Sequence, residues 1–383
     1  MRQLASIQII NEIKPIEGAD CIEVAKVLDW HVVIKKNEFK IGDKCIYVEI
    51  DSIMPEHADF EFLRDVNFRI KTRKMRGQIS QGIIFPLKIY GKDFSKHNIN
   101  DDITDALDIV KYETQDEKEE CTEIKKRMPK TWYGKYVYKI KKYFKDDVKY
   151  SWPSWLPHTD ETRIQSCGRI LEEMRGETCY ISVKMDGQSF SAYVDNVIGK
   201  NCFLKCKSFI KKVFNKGDVE KQLFVCSRSQ NKPKDNGDFW QNAEQHDLLN
   251  KLSMFNGRYA IQAEQCGKKI QKNKMGVEGL ELFVFNVFDR EEKRFVDYSE
   301  MLAICKTMGL QTVPILTDKF VIDERVTVDY LLELAKGKYS NGHIREGIVI
   351  RPIKERMCKT LKGRTSFKAV NNDYLLKEAK EKN

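Results

Sequence analysis

The tightest constraint on the fold of this chain is its opening rhythm: five short β-type runs separated by turns within the first ninety residues. The runs are Ser6 to Ile10, Ile22 to Leu28, His31 to Lys36, Lys44 to Ile50 and Gln81 to Leu87, and such segments read as strands. Gly18, Gly42, Gly77 and Pro55 fall between them as punctuation. Strands this short and this often turned make a small all-β unit, and residues 1–110 are expected to be a β-barrel of the OB-fold type. A sandwich of similar size gives the same pattern.

At 383 residues the chain exceeds the roughly 250 at which one core stops growing, so a second domain is expected. Residues 111–160 read as the linker. They open with the acidic run Asp116-Glu117-Lys118-Glu119-Glu120, then carry ten basic residues from Lys125 to Lys149 against Asp146 and Asp147. That stretch nearly supplies the formal net charge of +10. Trp132, Tyr133, Tyr136 and Tyr138 are interleaved with the lysines, a mixture that stacks bases and neutralises phosphates. A solvated connector whose aromatics pack on a neighbouring domain has the same composition. Lys125, Lys126, Arg127 and Lys135 are the candidate nucleic-acid contacts here.

Beyond residue 160 the pattern becomes mixed α/β. Strand-like segments occur at Cys179 to Val194, Gln222 to Ser227, Arg258 to Gln265, Leu280 to Phe288 and Gly347 to Arg351. Helical periodicity marks Gln241 to Met254, Ser299 to Met308 and Val328 to Ala335. The whole is therefore expected to be α+β, with residues 161–383 forming sheets flanked by helices. No apolar run is long enough for a bilayer, and the first residues lack the order of a secretory signal. Eleven cysteines are scattered without a CxxC pair, which favours reduced thiols and an intracellular, cytoplasmic or nuclear, protein.

Chemistry is concentrated in an ordered series. In Val183-Lys184-Met185-Asp186-Gly187 a lysine leaves a strand, followed by an acid and a glycine that can bring the chain close to a ligand. By itself this is also a hairpin turn with a surface lysine, and a K-x-D-G match occurs by chance in about one chain in ten of this length. Further along come Ser227-Arg228-Ser229-Gln230-Asn231, Ile261-Gln262-Ala263-Glu264, the strand Leu282 to Asp289 with Phe285, Arg345-Glu346-Gly347 running to Arg351, and Ser366-Phe367-Lys368-Ala369-Val370-Asn371.

In this order the segments resemble motifs I, Ia, III, IIIa, IV and V of the covalent nucleotidyltransferase superfamily, which contains DNA ligases, RNA ligases and mRNA capping enzymes. The stretch from Trp152 to Gln165, and Asp373-Tyr374-Leu375-Leu376-Lys377 after motif V, are similar to ATP-dependent RNA ligases with an N-terminal OB domain. The resemblance covers nearly the whole chain. It implies an ATP-grasp-like catalytic domain of antiparallel sheets with flanking helices, acting as a monomer on RNA. The implied activity seals 3′-hydroxyl and 5′-phosphate ends, with AMP carried covalently on Lys184 and Mg²⁺ or Mn²⁺ as the metal.

The same resemblance implies the roles. Asp186 accepts from the AMP ribose, Glu264 and Glu346 place the metal or its waters, Lys368 meets the phosphate, and Val183, Gly187 and Arg228 complete the nucleotide site. Phe285 is the candidate to stack on adenine; Phe283 has the same parity, and core packing explains either. Chemically, an amine must be unprotonated to attack phosphorus, whereas a free lysine titrates near 10.4. Lys184 is therefore expected to be lowered by Lys368, Arg228 and the metal.

Motif V often holds two lysines one residue apart, but here Ser366 takes the first place. Arg364, also a candidate RNA contact, or Lys362 is the candidate second cation, although a solvated loop explains both. The basic insertion Lys205 to Lys221 receives no role. DNA ligases and capping enzymes normally carry an OB domain after motif V, whereas only fifteen residues follow Lys368, short of the roughly 50 a domain needs. A non-catalytic nucleic-acid adaptor is the remaining alternative, and the intact set Lys184, Asp186, Glu264, Glu346 and Lys368 counts against it.

Overall fold

A computed structural model describes residues 3–112, 131, 151–198 and 219–381. At the N-terminus β1 (Ala5–Pro15), β2 (Ile22–Val27), β3 (Trp30–Lys35), β4 (Lys44–Val48) and β5 (Ile83–Phe85) form one antiparallel sheet in the order β3-β2-β1-β4-β5. β1 is long enough to serve two neighbours: Ala5 to Ile9 pair with β4 and Ile10 to Pro15 with β2. A register shift between Ile10 and Glu12 bends the strand where it changes partner. The outer strand β3 is stitched toward the other edge by Gln81 N donating to His31 O at 2.8 Å and Val33 N to Ser80 Oγ at 3.0 Å. The result is a nearly closed OB-type barrel, with Ile7, Ile10, Trp30, Ile46 and Tyr47 buried in its core.

The remainder is built on two sheets. The first has the order β6 (Thr162–Arg163), β17 (Phe367–Val370), β16 (Gly347–Pro352), β7 (Thr178–Lys184), β15 (Ile315–Val321). The second runs β10 (Asn231–Lys232), β9 (Val219–Cys226), β8 (Gln188–Ile198), β11 (Tyr259–Gly267), β12 (Leu280–Asp289), β13 (Arg294–Phe295), with β14 (Gln311–Thr312) parallel to β12. Helices α1 (Asp238–Gln245), α2 (Leu248–Ser253) and α3 (Tyr298–Met308) cover the second sheet through Trp240, Leu248, Leu252, Met301 and Ile304. Helix α4 (Val328–Ala335) covers the first through Leu331 and Ala335.

Two of the expected elements are divided. The strand expected over Cys179 to Val194 is β7 and β8, in different sheets, because the chain turns at Met185-Asp186-Gly187. Gly187 permits the turn: a Cβ there would lie 2.4 Å from Gln265 O and 2.9 Å from Glu264 Cγ, closer than atoms pack. The helix expected over Gln241 to Met254 is α1 and α2, broken where Asp247 adopts φ 51°.

The barrel is fastened to the two sheets that follow it. The C-terminal helix α5 (Asn372–Glu381) contributes Tyr374 and Leu375 to the barrel's own buried cluster. Trp30 Nε1 donates to Ser166 Oγ at 3.1 Å, and that hydroxyl donates to Glu49 at 2.6 Å. Asp51 accepts from Arg69 at 2.8 Å and from Arg163 at 2.9 Å. Lys125, Lys126, Arg127 and Lys135 lie outside the described residues, as does most of the 205–221 insertion. The eight described cysteines are all free thiols, and among described residues no helix is long and apolar enough to cross a membrane.

Candidate active site

A cavity of about 350 Å³ opens between the two sheets, with Asp51 and Arg69 reaching it from the barrel. Val183, Lys184, Asp186, Gly187, Arg228, Glu264, Phe285, Glu346 and Lys368, dispersed over the sequence, all line it. Sheet register explains the meeting. Lys184 ends β7 opposite Gly347, the residue after Glu346. Lys368 on β17 faces Val349, and Glu264 on β11 is opposite Ser189, two residues past the Gly187 turn.

The Lys184 ammonium donates to Glu346 Oε2 at 2.7 Å, and Glu264 Oε1 accepts from Gly187 N at 3.2 Å. The expected downward shift of Lys184 is not what the protein groups produce. Burial by itself would lower it, but the carboxylates of Glu346, Glu264 and Glu161 outweigh burial and hold it above its ordinary value. Lys368 is the lowered lysine, at about 8, through burial and the charge of Lys184. Burial pushes Glu264 up to about 8, with Glu346 and Asp186 adding to the rise. Glu346 is raised by burial too.

Asp186 is doubly engaged: Lys274 Nζ lies 2.8 Å from Oδ2, and the Tyr374 hydroxyl donates to the same oxygen at 2.9 Å. Neither partner was identified from sequence. Lys274 sits in a loop without periodicity, and Tyr374 was marked only within a segment following motif V. Phe285 lines the cavity, while Phe283 packs beside it in the apolar cluster of Val183, Met185 and Tyr339. Arg228 reaches Asp160, whose carboxyl it holds well below the usual range despite burial.

The candidate second cations lie elsewhere. Arg364 bonds Glu355 through Nε at 2.9 Å and Asn286 Oδ1 at 2.8 Å, with its guanidinium 3.9 Å from the Phe295 ring centre, and it does not line the cavity. Lys362 is on an exposed turn at φ 50°. The cation beside Ser366 is Arg351, only 1% exposed, whose Nε donates to Ser366 Oγ at 2.9 Å. It also donates to Glu161 at 2.7 Å and to the Phe285 carbonyl at 3.2 Å.

Among the described residues no three His, Cys, Asp or Glu side chains stand together as a metal cage. Glu264 and Glu346, both interacting with Lys184, are a pair. Two carboxylates suit a hard divalent ion that completes its shell with waters and phosphate oxygens, as Mg²⁺ and Mn²⁺ do.

A sequence model of the RNA ligase family matches residues 177–370, about half of the chain, and an OB-fold domain model matches residues 4–87. Among solved structures, a Naegleria gruberi RNA ligase with PPi is 26% identical, with 99% of this chain and 100% of that one covered and a TM-score of 0.76. A lysine-to-alanine mutant of the Naegleria gruberi enzyme with ATP and Mn is 26% identical over 98% of each chain, with a TM-score of 0.75. A lysine-to-methionine mutant with AMP and Mn is likewise 26% identical, over 98% of this chain and 99% of that one, with a TM-score of 0.76. No curated protein matches.

Proposed function

This chain belongs to the RNA ligase family, and from that premise we propose that it joins RNA 3′-hydroxyl and 5′-phosphate ends using ATP and a divalent metal, with AMP held transiently on Lys184. The observation that carries the reading is Lys184 itself: its amine lies in the cavity, hydrogen-bonded to Glu346, with Glu264 close enough to raise its titration and Lys368 close enough to be lowered by its charge. The division of labour we propose is a barrel over residues 1–110, a linker over 111–160 and the adenylyl-transferring unit over 161–383.

In the first step Lys184 Nζ, having lost a proton, bonds the α-phosphorus of ATP as the bond to the β-phosphate oxygen breaks, pyrophosphate leaves and the nitrogen sheds a second proton. In the second, an oxygen of the RNA 5′-phosphate displaces the lysine, which takes back a proton. In the third, the 3′-hydroxyl attacks the activated 5′-phosphorus, losing its proton and releasing AMP. A divalent ion on Glu264 and Glu346 would neutralise the phosphoryl oxygens. With such an ion on Glu264 and Glu346, those carboxylates would no longer hold the proton on Lys184, and the charge of Lys368 would favour its free amine. Phe285 stacks the base, Asp186 accepts from the ribose once Lys274 or Tyr374 yields, and Lys368 and Arg351 face the phosphates.

Incubation with α-labelled ATP and Mn²⁺ is expected to label the protein, and 5′-phosphorylated RNA to remove the label as RNA-adenylate. Labelling by GTP and not by ATP would overturn the proposal. A pH dependence accompanies it. Glu264, raised to about 8, keeps its proton below that pH, and the proton must leave before a metal is bound. Mn²⁺ affinity should therefore rise about tenfold per pH unit from 6.5 to 7.5 and level off above 8. Calorimetry in buffers of different ionisation enthalpy reads both the affinity and the proton released; a flat profile would count against Glu264 as a metal ligand.

A further inference from the structure

Between Asp65 and Asp93 the chain has no acidic residue and seven cations. Four of these, Lys71, Arg73, Lys74 and Arg76, fall within six positions at a hairpin on the barrel whose strands, Arg73–Met75 and Gln78–Ser80, pair antiparallel. Arg73, Lys74 and Arg76 are exposed, and among the described residues none of the three forms an ion pair. Several cations elsewhere on the barrel do have counter-charges, as in Arg64 with Glu61, Arg69 with Asp51 and Lys26 with Asp29. Three neighbouring cations without one repel each other and attract polyanions.

The hairpin is also placed near the cavity. Gln81, at its base, donates to Asn372 Oδ1 at 3.2 Å, the first residue of α5, and further along that helix Tyr374, Leu375 and Glu378 line the cavity. The six helical steps from Asn372 to Glu378 rise about 9 Å, roughly three phosphates at the ~3.4 Å spacing along one strand of a duplex. The tip, Arg76 and Gly77, is exposed and carries no apolar side chain, so it fits a phosphate backbone better than a folded protein face.

From charge and placement together we infer that this hairpin grips the phosphodiester backbone of the RNA flanking the joint, several nucleotides from the ends being sealed. The inference rests on the ligase reading for the identity of the polyanion. It assigns the hairpin sequence-independent contacts, which add affinity and salt dependence without choosing bases.

The full chain carrying R73Q, K74Q and R76Q together tests it. Transfer of AMP from ATP to the protein should be unchanged, which also shows that the variant folds. Binding to a long nicked RNA duplex, measured without ATP, should weaken, and the log–log dependence on salt should become shallower by about 2 to 3. A duplex ending two nucleotides from the nick should bind both proteins alike. An unchanged salt slope on the long duplex would overturn the inference, as would tighter binding of polyglutamate than of RNA to the wild-type hairpin. Absence of AMP labelling in the wild type would instead remove the ligase reading, while the ATP-free binding comparison would still decide the hairpin.

Discussion

Lys184→Ala and Lys184→Arg are both expected to abolish AMP transfer from ATP to the protein and to lower ATP-dependent sealing by on the order of 10⁴-fold or more. The two variants fail for different reasons. Alanine removes the nucleophile and leaves Glu346 facing the cavity without the ammonium that donates to it at 2.7 Å. Arginine keeps a positive charge for Glu346 but cannot deprotonate, so no nitrogen lone pair becomes available. Because Glu346 is already raised by burial and by Asp186, and Glu264 by burial, Glu346 and Asp186, the alanine variant should carry more protonated carboxyl at neutral pH. Denaturing gels after incubation with α-labelled ATP and Mn²⁺ measure the first effect, and melting curves show that each variant remains folded. Labelling of either variant at the wild-type level would locate the nucleophile elsewhere.

Lys184 was legible because the features that mark it are local. A strand that ends in lysine and turns at a glycine is visible in five residues, and the later motifs follow in order along the chain. The strands β2, β3 and β12 and the helix α4 were legible for the same reason, since their side chains alternate or repeat as the period requires. Electrostatics was not. Lys184 was expected to be lowered by nearby cations, whereas three carboxylates brought by β11, β16 and the segment before β6 dominate it. The partners of Asp186 come from a loop 88 residues away and a helix 188 residues away; nothing local marks Lys274, and the segment around Tyr374 gives no sign that its hydroxyl reaches Asp186. The cation beside Ser366 illustrates the same limit. Arg364 and Lys362 are near it in sequence, but the antiparallel pairing of β16 with β17 sets Arg351 against it instead.

Arg351 also sets up the largest stability effect. Its guanidinium is 1% exposed and is met by Glu161 at 2.7 Å, Ser366 at 2.9 Å and Phe285 O at 3.2 Å. Glu161→Ala would leave that buried charge without its counter-ion, and breaking a buried pair from one side costs about 3–5 kcal/mol. Removing both charges at once should cost much less, because the attraction within a buried pair largely offsets its own desolvation. The double variant Glu161→Ala, Arg351→Met is therefore expected to unfold at a higher denaturant concentration than Glu161→Ala alone. If the double variant loses as much as the two single changes added together, the pair is not coupled and this account of Arg351 fails. The pH dependence has a definite sign. Burial would raise Glu161, but Arg351, with Lys368 and Lys184, holds it below its ordinary value, so its contribution is present above the ordinary glutamate range and fades as pH falls through its lowered value. Sealing activity should separate from stability. The double variant should regain most of the fold but not the reaction if Arg351, which donates to Ser366, faces the phosphates as in the proposed mechanism.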